Sequence, residues 1–239
     1  MSLKVNGLVK RFGHRLVVDT LSFEVNKGEV VALLGPNGAG KTTAFYMTMG
    51  LIRPDSGQVI FLGQDVTHLP IHERARLGMG YLAQEPSIFP TLTVEQNILL
   101  VLEALPLSRK ERKARLEEHL EELHLSTLAK KKAGTLSGGE RRRLEITRAL
   151  VTRPSFLLLD EPFANIDPKS IADVKTLIAH LSERGISVLI TDHNAREILS
   201  CVDRSYIVEG GRVLLSGTPE ELVANPIARR AYLGEDFTL

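Results

Sequence analysis

The sequence predicts an α/β fold in which a mixed sheet with flanking helices is interrupted by one all-helical region. An apolar run at Val30–Leu34 leads through a glycine-rich turn into a helical pattern that begins at Lys41. Continuous apolar runs of this kind are typical of strands buried on both faces of a sheet. Between Thr93 and Arg153 leucines recur at helical spacings without a strand pattern, whereas apolar strand patterns return at 156–159 and 187–190. The chain therefore predicts a sheet core with a helical insert.

The other elements follow from apolar spacing and turn residues. Further strand patterns lie at 3–9, 17–25, 58–62 and 79–83. An antiparallel β subdomain is expected in the N-terminal part of the chain. A helix is predicted at 168–184, where a proline occupies the first position and a glycine follows the last. The pair Gly210-Gly211 separates two short strand patterns and indicates a hairpin. Thr218 begins the next helix.

The composition restricts the class of protein. Of 239 residues, 43% are apolar and 25% are charged, which is ordinary for a globular domain and argues against disorder. The net charge of +1 gives no case for nucleic acid as a partner. One cysteine, Cys201, excludes an intrachain disulfide. The N-terminus lacks a secretory-signal pattern and no apolar run reaches the length of a membrane span, so we expect any membrane-spanning part to belong to another chain.

A phosphate-binding pattern follows the third strand. Its residues are Gly35, Pro36, Asn37, Gly38, Ala39, Gly40, Lys41 and Thr42, with Thr43 next. Glycines at these places let backbone N–H groups point at phosphate oxygens, and the helix N-terminus adds a favourable partial charge. The lysine of such a P-loop contacts the β- and γ-phosphates, and the hydroxyl of Thr42 is suited to Mg²⁺. An accidental glycine-rich turn is the alternative, but the strand before it and the helix after it favour a P-loop NTPase core.

A second apolar strand ends in two acidic residues, Asp160 and Glu161. Asp160 at this place suits Mg²⁺ binding, and Glu161 can orient or deprotonate an attacking water. A buried strand with two solvated acids at its end is the alternative for this segment alone. Combined with the P-loop, the pair predicts hydrolysis of a nucleoside triphosphate.

A third motif begins a helix inside the helical region. Ser137 and Glu140 have the spacing of a capping box, which any helix start can carry. Gly138 and Gly139 are poor choices for helix stability, but they suit the close approach of a bulky anion to exposed N–H groups. The segment 136–140 closely resembles the signature motif of ABC transporter ATPases. The resemblance implies that Ser137, Gly138 and Gly139 complete the ATP site of a second copy, in a head-to-tail homodimer with two ATP molecules at the interface.

Other motifs of this family occur in the family's order. The resemblance implies that Phe12 stacks on adenine, that Gln84 senses Mg²⁺ and water, and that His193 contacts the γ-phosphate. Asp167 corresponds to the aspartate of the family's D-loop. The implied catalytic residues are Glu161, His193, Gln84 and Lys41, and the implied Mg²⁺ ligands are Thr42, Gln84 and Asp160.

The motifs imply a single ATPase domain in two parts. A RecA-like and antiparallel-β core is expected to bind ATP and to occupy 1–85 and 154–239. A helical subdomain that carries the signature motif is expected at 86–153.

Four segments resemble, within the family, the ATPases of lipopolysaccharide exporters of Gram-negative bacteria, at 43–47, 81–89, 138–143 and 232–237. The resemblance implies that ATP hydrolysis powers extraction of lipopolysaccharide from the inner membrane and its transport to the outer membrane. It also implies a cytoplasmic chain, peripheral on the inner membrane, that contacts integral membrane permease subunits through Gln84–Phe89.

Three alternatives remain open at this point. ATPases of branched-chain amino-acid importers are near relatives with the same motifs. A soluble ABC ATPase acting on DNA or ribosomes is disfavoured because the chain lacks long coiled-coil inserts, zinc motifs and a second cassette. A non-catalytic nucleotide-binding regulator is disfavoured because Lys41, Asp160, Glu161 and His193 are all present.

Overall fold

The computed structural model describes residues 1–164 and 166–238, and within them the strands form two sheets. The strands are β1 (Leu3–Phe12), β2 (Arg15–Val25), β3 (Val30–Leu34), β4 (Ser56–Phe61), β5 (Gln64–Asp65), β6 (Met79–Leu82), β7 (Phe156–Asp160), β8 (Ser187–Thr191), β9 (Arg204–Glu209) and β10 (Arg212–Gly217). One sheet is antiparallel, with the order β2-β1-β4-β5. The other has the order β10-β9-β3-β8-β7-β6 and is parallel except for β10.

Helices flank the larger sheet and fill the segment between β6 and β7. They are α1 (Lys41–Met49), α2 (Ile71–Arg76), α3 (Val94–Glu103), α4 (Arg109–Glu122), α5 (Gly138–Leu150), α6 (Pro168–Glu183), α7 (Ala195–Leu199), α8 (Pro219–Ala224) and α9 (Pro226–Ala228). A π-helical turn at Arg229–Leu233 continues α9. No helix in the described part of the chain has the length and apolar character needed to cross a membrane.

The central strands divide the interior into two cores because their side chains alternate between the two faces of the sheet. In β3, Val31 and Leu33 face the antiparallel sheet and helix α1. The alternate residues, including Val30 and Leu34, face helix α6 and the C-terminal helices. All five residues of β3 are buried, which is why the strand appears in the sequence as an uninterrupted apolar run.

The segment between β6 and β7 has a core of its own. Helices α3, α4 and α5 pack apolar residues such as Ile98, Leu120 and Leu144 into one cluster. Each of the three helices begins with a capping box, formed by Thr93, Ser108 and Ser137. Reciprocal capping pairs two backbone N–H groups that a helix start otherwise leaves without partners. The boundaries at 86 and 153 stay a prediction.

A buried arginine binds the C-terminal end of α1, the helix that follows the P-loop. Arg74, in α2, is 1% exposed and donates to Met47 O (2.9 Å) and Thr48 O (2.6 Å), in the last turn of α1. It also donates to Thr67 O and Leu69 O, at 2.9 Å each. Burial lowers the pKa of Arg74 to about 10, which still leaves it charged at neutral pH. The guanidinium therefore meets the carbonyl end of α1, where a positive charge is favoured.

Candidate active site

The P-loop lies at the carboxyl end of β3 and is shaped by close backbone packing. Gly40 precedes α1 with φ 99°, a left-handed conformation that glycine adopts without strain. A Cβ atom at Gly35 would lie 2.1 Å from Val208 O, so no larger residue fits there. The Nζ atom of Lys41 donates to Gly35 O at 2.6 Å and to Pro36 O at 2.9 Å. Burial lowers the pKa of Lys41, and the nearby Glu161 carboxylate opposes that effect.

A cleft of about 340 Å³ opens over this loop. It is lined by Phe12, Arg15, Val17, Asn37, Gly38, Ala39, Gly40, Lys41, Thr42, Thr43, Glu161, Thr191 and His193. The turn between β1 and β2 brings Phe12 and Arg15 to one side, and Phe12 is 49% exposed. The structure thus brings the predicted adenine contact Phe12, most of the P-loop with Lys41, and the predicted catalytic residues Glu161 and His193 into one cleft. Arg15 was not predicted from the sequence, because an arginine in a hairpin is an ordinary surface residue unless the fold places it over a P-loop.

The Glu161 carboxylate lies next to two other predicted catalytic side chains, those of Gln84 and His193. Its Oε2 atom accepts from Gln84 Nε2 at 2.8 Å and lies 3.5 Å from His193 Nδ1. Glu161 has φ 45°, and its N–H donates to Thr191 O at 2.7 Å. A non-glycine residue with this φ is uncommon and is found where the surroundings fix it. Here the bend turns the carboxylate out of the sheet edge toward the cleft.

Asp160 differs from Glu161 in being enclosed. It is 2% exposed, and its Oδ2 atom has no hydrogen-bond partner among the described residues. Burial raises the pKa of Asp160 to about 6, the Glu161 charge adds to the rise, and a hydrogen bond from Tyr46 opposes it. A buried carboxylate oxygen without a donor suits a cation. The exposed Thr42 lines the cleft, and its hydroxyl is another predicted Mg²⁺ ligand.

An arginine of the signature helix contacts the backbone at this edge of the sheet. Arg142, in α5, donates to Ala83 O, Asp160 O and Glu161 O, at 3.3 Å each. It also forms a buried pair with Glu145 at 3.0 Å. These contacts join α5 to the residues that precede Gln84 and that carry the acidic pair. Arg142 has no distinguishing signal in the sequence, because it stands in a run of three arginines.

The signature residues lie outside the cleft formed by the P-loop. The predicted capping box is present, since Glu140 N donates to Ser137 Oγ (3.2 Å) and Ser137 N donates to Glu140 Oε2 (2.8 Å). A Cβ atom at Gly139 would lie 2.3 Å from Ser170 Oγ, at the start of α6. That hydroxyl donates to Asp167 Oδ2 at 2.6 Å. Ser170 therefore packs against Gly139 and binds Asp167.

Comparisons with known proteins place this arrangement in a family. The sequence model described as "ABC transporter" matches residues 18–164, which is more than half of the chain. The chain belongs to the ABC transporter family. A second model, described as "Branched-chain amino acid ATP-binding cassette transporter", matches residues 212–238.

Individual ABC proteins resemble the chain over nearly its full length. It is 54% identical to the lipopolysaccharide export system ATP-binding protein LptB of Acidithiobacillus ferridurans, covering 99% of this chain and 98% of that protein. A solved ATP-binding cassette of an ABC transporter in its ADP conformation is 31% identical with a TM-score of 0.87, covering 98% and 99% of the two chains. A dimeric ABC cassette bound to ADP and Pi is 25% identical with a TM-score of 0.78, covering 91% and 98%.

These comparisons confirm the predicted family, ABC transporter ATPases, and the predicted fold class. They also confirm ATP as the ligand of the family to which this chain belongs. The roles of single residues stay predictions, although the geometry assembles Lys41, Gln84, Glu161 and His193 around one edge of the sheet.

The raised pKa of Asp160 gives a prediction about stability. Because the folded-state pKa of about 6 lies above the ordinary value of 3.8, ionised Asp160 opposes folding by about 3 kcal/mol. The penalty is small near pH 4, grows as the pH rises through the folded pKa, and is nearly complete above about pH 7. We therefore expect Asp160→Asn to raise the free energy of unfolding by about 2 to 3 kcal/mol at pH 8, without nucleotide or Mg²⁺.

Urea denaturation at a series of pH values from about 4 to 8 measures this difference. The gain should shrink to about 0.5 kcal/mol as the pH falls to about 4. Asp173→Asn, at an exposed carboxylate of α6, is the matched control and should give no gain. A gain that does not depend on pH, or the same gain in the control, would contradict the assigned cause.

Proposed function

We propose that the chain is the ATP-hydrolysing subunit of a lipopolysaccharide exporter and that its cleft is half of a composite site. The observation that carries the catalytic part is the shared Glu161 carboxylate. It lies beside the P-loop cleft, 2.8 Å from Gln84 and 3.5 Å from His193. The cargo rests on the similarity to LptB rather than on the geometry.

The cleft holds the nucleotide through three groups of residues. Phe12 stacks on the adenine with its exposed ring. The N–H groups from Gly38 to Thr43 surround the phosphates, as expected where a P-loop opens a helix. Lys41 exchanges its two carbonyl acceptors for β- and γ-phosphate oxygens, which gives its buried ammonium a charged partner.

Glu161 positions the attacking water in line with the γ-phosphate and accepts its proton. Gln84 donates to the same carboxylate oxygen and so fixes its orientation. His193 is 64% exposed in its side chain and is free to contact the γ-phosphate from the cleft. Water attacks the γ-phosphorus, and the bond from that phosphorus to the oxygen that bridges the β- and γ-phosphates breaks. ADP and inorganic phosphate form.

Magnesium fits the residues present. Asp160, whose buried Oδ2 has no donor among the described residues, would hold the ion together with the Thr42 hydroxyl and Gln84. When bound, Mg²⁺ neutralises charge on the phosphates and makes ionised Asp160 favourable where burial alone makes it costly.

The second half of the site comes from another copy of the chain. Ser137, Gly138 and Gly139 lie outside the cleft of their own copy, and Ser137 is exposed. The helix start they form offers N–H groups to an anion. A head-to-tail homodimer lets each helix start close on the γ-phosphate bound by the other copy. The solved relative that is dimeric supports this arrangement.

Membrane permease subunits bind at Gln84–Phe89. Phe89 is 45% exposed, and its backbone is held by Asn97, which donates to Phe89 O at 3.0 Å and accepts from Phe89 N at 2.9 Å. Arg148 of α5 lies 5.4 Å from the centre of its ring. An exposed aromatic ring on a fixed backbone is suited to receive a partner helix. Gln84 belongs to the same segment and connects the partner to Glu161.

The cargo assignment has one specific competitor. Similarity to LptB over nearly the whole chain favours lipopolysaccharide export at the cytoplasmic face of the inner membrane. The match of residues 212–238 to the branched-chain amino-acid transporter model favours an importer ATPase. We prefer export because the similarity to LptB covers the segments near the membrane partner as well.

Replacement of the proposed base tests the catalytic assignment. We expect Glu161→Gln to lower the rate of ATP hydrolysis at least about 100-fold, because the amide cannot accept the proton of water. ATP should still bind and should now hold the dimer together. Phosphate release with Mg²⁺ and ATP measures the rate, and light scattering measures the mass. Glu183→Gln, at an exposed carboxylate, is the control, and turnover near wild type in Glu161→Gln would refute the role of Glu161.

Purification of the complex tests the cargo and the docking segment together. We expect the tagged chain, expressed in its own host, to recover membrane subunits of a lipopolysaccharide exporter, identified by mass spectrometry. Phe89→Ala should reduce that recovery while leaving the basal ATPase rate of the isolated chain unchanged. Leu214→Ala removes a similarly exposed apolar side chain elsewhere and should not reduce it. Recovery of an amino-acid permease pair would replace the exporter with the importer.

A further inference from the structure

The C-terminal segment packs beside the loop that carries His193. Tyr232, Leu233 and Phe237 lie against the core on the α6 side of the sheet. Arg196, in α7, donates to Thr238 O at 3.2 Å and to Thr238 Oγ1 at 3.4 Å. The end of the described chain is therefore fastened within a few residues of His193.

One side chain of this segment contacts the loop that carries His193. The Tyr232 hydroxyl donates to His193 O at 3.1 Å. Burial raises the pKa of Tyr232 to about 12, so the hydroxyl stays a donor throughout the physiological range. The C-terminal segment thus holds the His193 loop through one hydrogen bond.

His193 depends on its backbone for its position. Its side chain is 64% exposed, so packing does not fix the ring. Before it, Asp192 is 1% exposed and accepts from Phe163 N (3.1 Å) and from Asn194 N (2.9 Å). These bonds hold the loop on its N-terminal side and across its turn. The Tyr232 bond holds the carbonyl of His193 itself.

We propose that Tyr232 is a positioning residue for ATP hydrolysis, which holds the His193 peptide in place through its hydroxyl. The inference rests on the role proposed above for His193. Without the bond the His193 backbone gains freedom, and the imidazole spends less time at the γ-phosphate. Sites held to within a fraction of an ångström lose rate when such a support is removed.

Tyr232→Phe removes only the hydroxyl and keeps the ring in its packing. We expect kcat for ATP to fall about 3- to 10-fold, as for the loss of one hydrogen bond. The affinity for ADP, from equilibrium titration, should stay within about 2-fold, because ADP lacks the phosphate that His193 contacts. Tyr206→Phe is the matched control, since its hydroxyl bonds Glu24 and Arg204 instead, and kcat should be unchanged.

A double-mutant cycle distinguishes positioning from general stability. If Tyr232 acts through His193, Tyr232→Phe should have no further effect on kcat in a His193→Ala background. An additive loss in that background, a parallel loss of ADP affinity, or an equal fall in the control would overturn the proposal. The single variant His193→Ala separates the two levels, because activity near wild type there would refute the proposed function of His193 itself.

Discussion

Parallel pairing of the central strands is the constraint on which the site depends. Strands β3, β6, β7 and β8 run in one direction, so their carboxyl ends meet at one edge of the sheet. The P-loop follows β3, Gln84 follows β6, Glu161 follows β7 and His193 follows β8. Gln84 and His193, which are far apart in sequence, are thereby brought to the Glu161 carboxylate. A register slip of one residue in β7 would turn the Asp160 side chain to the other face of the sheet.

The site also carries a local cost to stability. Asp160 is enclosed at the end of an apolar strand beside a second carboxylate, and burial holds its pKa near 6. Glu161 adds a positive φ, which is unfavourable for a residue with a side chain. Both features make sense at a place that receives a cation and a polyanionic ligand. A bound cation would offset the cost of ionised Asp160.

The sequence predicted the elements with strong local signals and missed those whose meaning depends on packing. The apolar β3, the glycines of the P-loop and the capping box of Ser137 all carry their reason within a few residues. Arg74 and Arg142 have no such signal, since an arginine in a charged helix is normally solvated. Their roles follow from buried carbonyls supplied by distant segments. Short elements such as α2, α7 and β5 were missed for a similar reason, because few apolar positions define them.

The same distinction applies within the site. Phe12, Lys41, Glu161 and His193 could be named from motifs, and the fold brings them to one cleft. Tyr232 could not, because its partner is a backbone carbonyl that any residue could offer. Arg15 became visible only when the β1–β2 turn was seen over the P-loop. Side chains that bind backbone atoms leave little trace in a single sequence.

A mixing experiment tests the central claim, that each cleft is completed by a second copy. Lys41→Ala disables the P-loop and Gly138→Asp disables the signature helix start, so each purified variant alone should hydrolyse almost no ATP. In a mixed dimer, the intact P-loop of one copy meets the intact Ser137–Gly139 of the other. The account predicts that phosphate release by the mixture exceeds the sum of the two variants severalfold. A mixture no more active than its components would contradict a composite site.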